Sequence, residues 1–165
     1  MRIGSIDTSN TTTGVYVGGE LTGAAGTVTF KNFSLTLLSG ARSTAYSSAA
    51  KQEIGGVVWN PSVVGPVHAH RKVWFRAVLE TADAGSGAYV ELYDPGAIVT
   101  PTPGIVIGSE LSTSSITPVN LQVDLTSIFD AIVSAGVIEA RLWCDPVITG
   151  KQVICKGARI DVEWS

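Results

Sequence analysis

Few side chains in this sequence are spaced for catalysis. His68-x-His70 puts two imidazoles on one side of an extended chain, which is the edge of a two-histidine metal site. A metal asks for more ligands, and the next carboxylate along the chain is Glu80. Exposed histidines at the start of a strand are the simpler expectation. Two carboxylate pairs, Glu91 with Asp94 and Asp161 with Glu163, have the residue types for acid–base cleavage of a glycosidic bond. Asp161 and Glu163 stand two apart in a strand-like run, which makes them its polar face opposite Ile160, Val162 and Trp164. No G-x-S-x-G elbow is present. Gly85-Ser86-Gly87 lies in a turn between strand-like runs, without the helix N-terminus that a phosphate cradle uses. No catalytic residue, metal site or cofactor is marked, and a non-enzymatic role is expected.

Two further groups of residues bear on binding and redox state. Thr149-Gly150 reads as a two-residue turn, and counting outward from it sets Cys144 opposite Cys155. Facing strand residues have Cβ atoms about 4.5–5.5 Å apart, near the reach of a disulfide. Pro146 interrupts a regular ladder here, and a cytoplasmic birthplace favours two reduced, buried thiols. Trp59, Trp74, Trp143 and Trp164 all fall in strand-like runs, where tryptophan mostly covers a core or an interface. Trp74 shares its side of the strand with Arg76 and Glu80. It, or Tyr93 in the following run, is the candidate platform for stacking a sugar ring. A carbohydrate-binding module therefore stays open as an alternative. Asn10-Thr11-Thr12 and Asn32-Phe33-Ser34 match the glycosylation sequon. The first residues, Met1 to Asp7, have no apolar run of the signal-peptide kind, so the sequons carry no weight.

The elements that must position these residues are announced by composition. Of 165 residues, 45% are hydrophobic and 15% charged, against about 25% charged in an average globular chain. Disorder, which needs low hydrophobicity and high net charge, is excluded. A helical bundle lacks the lysine, glutamate and leucine to dress its helices. Ser and Thr, 16 of each, take the surface that charges leave vacant, and threonine suits a pleated sheet. The net charge is −3, and the densest basic cluster is the single short patch His68-Ala69-His70-Arg71-Lys72. Nucleic-acid binding is therefore not expected. No window has the roughly 18 apolar residues of a membrane-spanning helix, and no membrane partner is expected.

Residues 1–27 are rich in Gly, Ser and Thr and read as an N-terminal arm; residues 28–165 read as one β domain. Val28 to Leu38 is the first strand, with a phase slip near Lys31-Asn32 that predicts a bulge. Glu53 to Trp59 is the second, ended by Asn60-Pro61. Arg71 to Glu80 and Ala88 to Asp94 both alternate around Ala84-Gly85-Ser86-Gly87, which predicts an antiparallel hairpin. Ile105 to Ile107 and Asn120 to Leu125 are short strands. Ile128, Phe129, Ile132 and Val133 form a helical stripe, with Thr126 or Ser127 as N-cap and Gly136 as the stop. Val137 to Cys144 and Val153 to Trp164 close the chain. Seven or eight strands with one crossover helix predict an all-β antiparallel sandwich of jelly-roll type.

Val73-Trp74-Phe75-Arg76-Ala77-Val78-Leu79-Glu80 followed by Tyr89-Val90-Glu91-Leu92-Tyr93-Asp94 resembles the paired strands of galactose-binding-like jelly rolls. With Gly108 to Pro118, a short helical crossover and the closing Lys156 to Trp164, the order is similar to small β-sandwich virion proteins of tailed bacteriophages. The resemblance covers residues 70–165 and consists of strand phrases, not a catalytic signature. It implies a structural role: a decoration or cement protein of the phage capsid, or a tail accessory protein. The partners it implies are the major capsid protein and further copies of the chain, with a trimer favoured. The location it implies is the virion, after synthesis in the host cytoplasm.

Overall fold

A computed structural model describes residues 32–43, 49–59, 71–99, 102–129 and 136–164. In chain order these form β1 (Phe33–Ser43), β2 (Gln52–Trp59), β3 (Arg71–Thr81), β4 (Gly87–Val99), β5 (Thr102–Thr113) and β6 (Val119–Asp124). A helical turn α1 (Thr126–Phe129) and strands β7 (Gly136–Asp145) and β8 (Val153–Trp164) follow. The arm at residues 1–27, the bulge at Lys31, and His68 and His70 lie outside the described residues.

Alternation drives the packing. In β3, Val73, Phe75, Ala77 and Leu79 are buried, while Trp74, Arg76, Val78 and Glu80 lie on the other side. A strand with one apolar face must bury it against a second layer. The strands form two four-stranded sheets, ordered β1-β8-β3-β6 and β2-β7-β4-β5. The pairs β1–β8, β2–β7, β3–β6 and β4–β5 are all antiparallel. The first four strands thus run back along the last four as one long double ribbon. Its rungs alternate between layers, and β3–β8 and β4–β7 complete each sheet. This is a jelly roll.

The strand order corrects one expectation. β3 and β4 do not form a hairpin; they lie in opposite sheets. The reason is what pairs with the end of β3. The Thr81 and Ala82 amides donate to the carbonyls of Ser115 and Gln152, each at 2.8 Å, so the end of β3 is already paired. The Asp83 carboxylate and carbonyl accept from the Gly85 amide at 2.8 Å and the Ser86 amide at 2.9 Å, which turns the chain toward the other layer. The Thr149-Gly150 turn forms as expected, with Gly150 at φ 78°, but it also links the two layers. Cys144 therefore pairs with Ala88, and Cys155 with Leu79 and Arg42. They are not a ladder pair, and both are buried free thiols.

Between the layers, Phe75, Leu79 and Ile160 meet the side chains of Leu92, Ile107, Ile138 and Leu142, all almost fully buried. Burying each such side chain contributes about 1.5–3 kcal/mol. β1 and β2 approach so closely that a Cβ on Gly55 would collide with the Leu37 carbonyl oxygen. The described helix is one turn long. Asp124 Oδ1, rather than Thr126 or Ser127, accepts from the first helical amide, that of Thr126, at 2.8 Å. Leu125, fully buried, anchors the turn beneath β3, while Ile128 is 40% exposed. Residues 130–135 of the expected stripe lie outside the described residues.

Candidate functional site

With the interior filled by apolar side chains, chemistry is left to the two outer faces. Each follows from strand phase. On the β1-β8-β3-β6 face, register sets Ser34, Asp161, Trp74 and Asp124 side by side. The next row holds Thr36, Arg159, Arg76 and Gln122. Asp161 is the hub of both rows. It accepts from Ser34 Oγ, from Arg159 Nε at 2.9 Å and from Arg76 Nη1 at 2.7 Å. The same Arg76 nitrogen lies 2.8 Å from Glu163 Oε1. Burial alone would raise the Asp161 pKa, but these donors outweigh it and hold the carboxyl below the ordinary carboxylate range. Asp161 and Glu163 are thus the polar face opposite buried Ile160 and Val162, tied into an arginine network.

An open depression of about 410 Å³ lies on this face, lined among others by Thr36, Arg76, Asn120, Gln122 and Arg159. Trp74, half-buried in the neighbouring row, is not part of the lining; the Arg76 guanidinium lies 5.7 Å from its ring centroid.

The β2-β7-β4-β5 face is built differently. Tyr89, Glu91 and Tyr93 of β4 stand opposite Trp143, Arg141 and Glu139 of β7. Tyr89 and Trp143 stack with centroids 5.4 Å apart and planes 15° from parallel. Lys51, just before β2, places Nζ 2.7 Å from Glu91 Oε2 and 4.5 Å from the Trp143 centroid. The Arg141 guanidinium lies 3.2 Å from the Tyr93 centroid and its Nε 3.5 Å from Glu139 Oε2. At one end of this face Val58 and Val137 are register partners, 78% and 45% exposed, and Val106, opposite Tyr93, is 43% exposed.

The structure separates residues that the sequence left together. Trp74 and Tyr93 occupy opposite outer faces, so neither supports the other as a platform, and Tyr93 is covered by Arg141. Glu91 and Asp94 have opposite strand phase; Asp94 is buried and accepts from the Gly96 amide at 2.9 Å. They are not a catalytic pair. The Tyr89–Trp143 stack and the Lys51–Glu91 ion pair were missed. Tyr89 carried a signal, since it shares the outward phase of Glu91 and Tyr93. Its partner strand did not, because β4 was paired with β3 in the expected hairpin. Among the described residues, no group of three or more His, Cys, Asp or Glu could hold a metal ion.

No protein-family model matches the chain, and no curated protein matches it. Among solved structures, it is similar to a chain of infectious bursal disease virus, Gx strain, at 10% identity and a TM-score of 0.42. That likeness covers 80% of this chain and 31% of the viral one, so the chain spans under a third of its length. The chain is also similar to the coat protein of Tobacco streak virus, at 11% identity and a TM-score of 0.37, over 81% of this chain and 86% of that one. The jelly-roll assignment rests on strand order and register, not on likenesses of this size.

Proposed function

We propose that the chain is a non-enzymatic structural protein of a virion, a decoration or cement protein that bridges neighbouring subunits of a bacteriophage capsid. One observation carries this reading: a jelly roll with an apolar interior presents Val58, Val106 and Val137 exposed on a single sheet face. Val58 and Val137 adjoin at the β2 edge of that face and Val106 lies at its β5 edge, and exposed apolar side chains favour contact with another surface. On the same face Tyr89 stacks on Trp143 and Arg141 lies against Tyr93 and Glu139, so these side chains have little entropy left to lose on docking. The partners are the major capsid protein and other copies of the chain, in a trimer, and the location is the virion. Residues 1–27 supply further contacts to the shell or a sister subunit. Heads stripped of the protein and then reconstituted test the role. Reconstituted heads should withstand heating that ruptures stripped heads, and equal rupture of both would overturn it.

A second reading is favoured by the depression that Arg76 lines, one row from Trp74. Its hydroxyl, amide and guanidinium lining suits the hydroxyl groups of a sugar, as in a carbohydrate-binding module or a tail receptor binder. Glycan-array binding that Trp74→Ala removes would select this reading over the cement role.

A further inference from the structure

Glu91 lies at the centre of the β2-β7-β4-β5 outer face, yet it is 2% exposed. Among the described residues only one of its oxygens is used: Oε2 takes the Lys51 ammonium, while Oε1 is buried and finds no hydrogen-bond partner there. A buried carboxylate oxygen without a donor is costly, and native folds rarely keep one. The arginine best placed to supply the donor, Arg141, is directly opposite Glu91 in register, but its guanidinium lies against Tyr93 and Glu139.

The surroundings of Glu91 are those of a cation receptor. The stacked pair Tyr89 and Trp143 is the neighbouring outward-facing pair, two register positions away, and Lys51 lies over the Trp143 ring while it touches the carboxylate. A carboxylate beside an aromatic face holds a cation by charge and by the ring quadrupole together. Lys51 is the resident cation, but it fits only in part. An ammonium is a point charge that here meets one oxygen, whereas a guanidinium is a planar fork that meets both and stacks on aromatic faces. The Lys51 side chain is also 42% exposed and sits before β2 rather than within it, so it can swing away. On the far side the β4–β5 ladder jumps from Val90↔Leu111 to Leu92↔Ile107, which leaves Gly108, Ser109 and Glu110 bulged opposite Glu91. Bulges of this kind gather beside binding sites. Glu53, Glu91 and Glu139 against Lys51 and Arg141 leave this face acidic, and exposed Glu110 adds to it.

We propose that Glu91, Tyr89 and Trp143 form a receptor for an arginine side chain of a partner protein, which displaces Lys51 and bonds both carboxylate oxygens. The receptor stands whether or not the partner is a coat subunit.

The test is a titration of the full-length chain with N-acetyl-arginine amide, followed at the Trp143 indole N–H by NMR. The neutral isostere N-acetyl-citrulline amide and N-acetyl-lysine amide serve as comparisons. Saturable shifts with the arginine compound, absent with citrulline and weaker with lysine, are expected. Lys51→Met removes the resident cation and should tighten arginine binding roughly tenfold, the penalty of a site that is open about a tenth of the time. Glu91→Gln should abolish the shift while the amide spectrum stays dispersed. If that variant unfolds, the Lys51→Met titration decides alone. No arginine-dependent shift in Lys51→Met overturns the proposal, as does an equal response to citrulline or tighter binding of the lysine compound.

Discussion

Asp161 shows how one residue ties together three strands. Its carboxylate joins β1 through Ser34, β3 through Arg76 and its own strand β8 through Arg159. Because its folded pKa is depressed, it contributes stability above the unfolded carboxylate range, near pH 3.9. That stability is lost as pH falls through the lower folded value. Asp161→Asn should cost about 1–3 kcal/mol at pH 7, because a buried charged acceptor is lost from donors that are themselves partly exposed. Urea unfolding of both proteins at stepped pH should show the two stabilities converging in acid, and a constant gap would contradict the assignment. Cys155 makes a second prediction at this scale. Burial pushes its thiol up to about 11, so little thiolate forms near neutrality. Iodoacetamide at pH 8 should leave the native chain's Cys144 and Cys155 unlabelled and should modify both in denaturant, as read by intact mass. The phase of Asp161 and Glu163 was legible in the sequence, because alternation belongs to a single strand. The bonds of Glu91 to Lys51 were not, since they depend on which distant segment arrives beside β4.

The same limit governs whole elements. The second strand, expected at Glu53 to Trp59, forms as Gln52–Trp59, and the alternation of Arg71 to Glu80 forms as β3. Partnership was misread where a short turn suggested a hairpin. In a jelly roll the same short link crosses between layers, and the choice is made by the Ser115 and Gln152 carbonyls, which lie far along the chain. α1 was placed correctly at its start, but its anchor is Leu125, outside the expected stripe. Layer packing makes testable demands. Gly55→Ala would drive a methyl group into the Leu37 carbonyl where β1 meets β2, and should destabilise by about 1–3 kcal/mol. Phe75→Ala, which empties the centre of the core, should cost about 3–5 kcal/mol. Chemical denaturation measures both. A Gly55→Ala protein as stable as the parent would mean that the two strands are not in such close contact.

For the whole molecule, the 45% apolar composition divides between a sealed interior and a small remainder on the surface. Val58 and Val137, paired across β2 and β7, are the clearest part of that remainder. A stable interface buries about 1,600 Å² in total, more than these side chains offer alone, so the proposed role assigns the remainder to residues 1–27 and to neighbouring copies. Deleting residues 2–26 should therefore weaken association with the shell while leaving the melting temperature of the sandwich unchanged, and unchanged binding would count against a role for the arm. The most direct measurement of the proposed capsid role is co-sedimentation of the purified chain with intact bacteriophage capsids, beside the double variant Val58→Asp/Val137→Asp. The account predicts saturable pelleting of the natural chain, and a folded double variant that stays in the supernatant. A natural chain that remains in the supernatant at every concentration, or a double variant that pellets equally well, would contradict it.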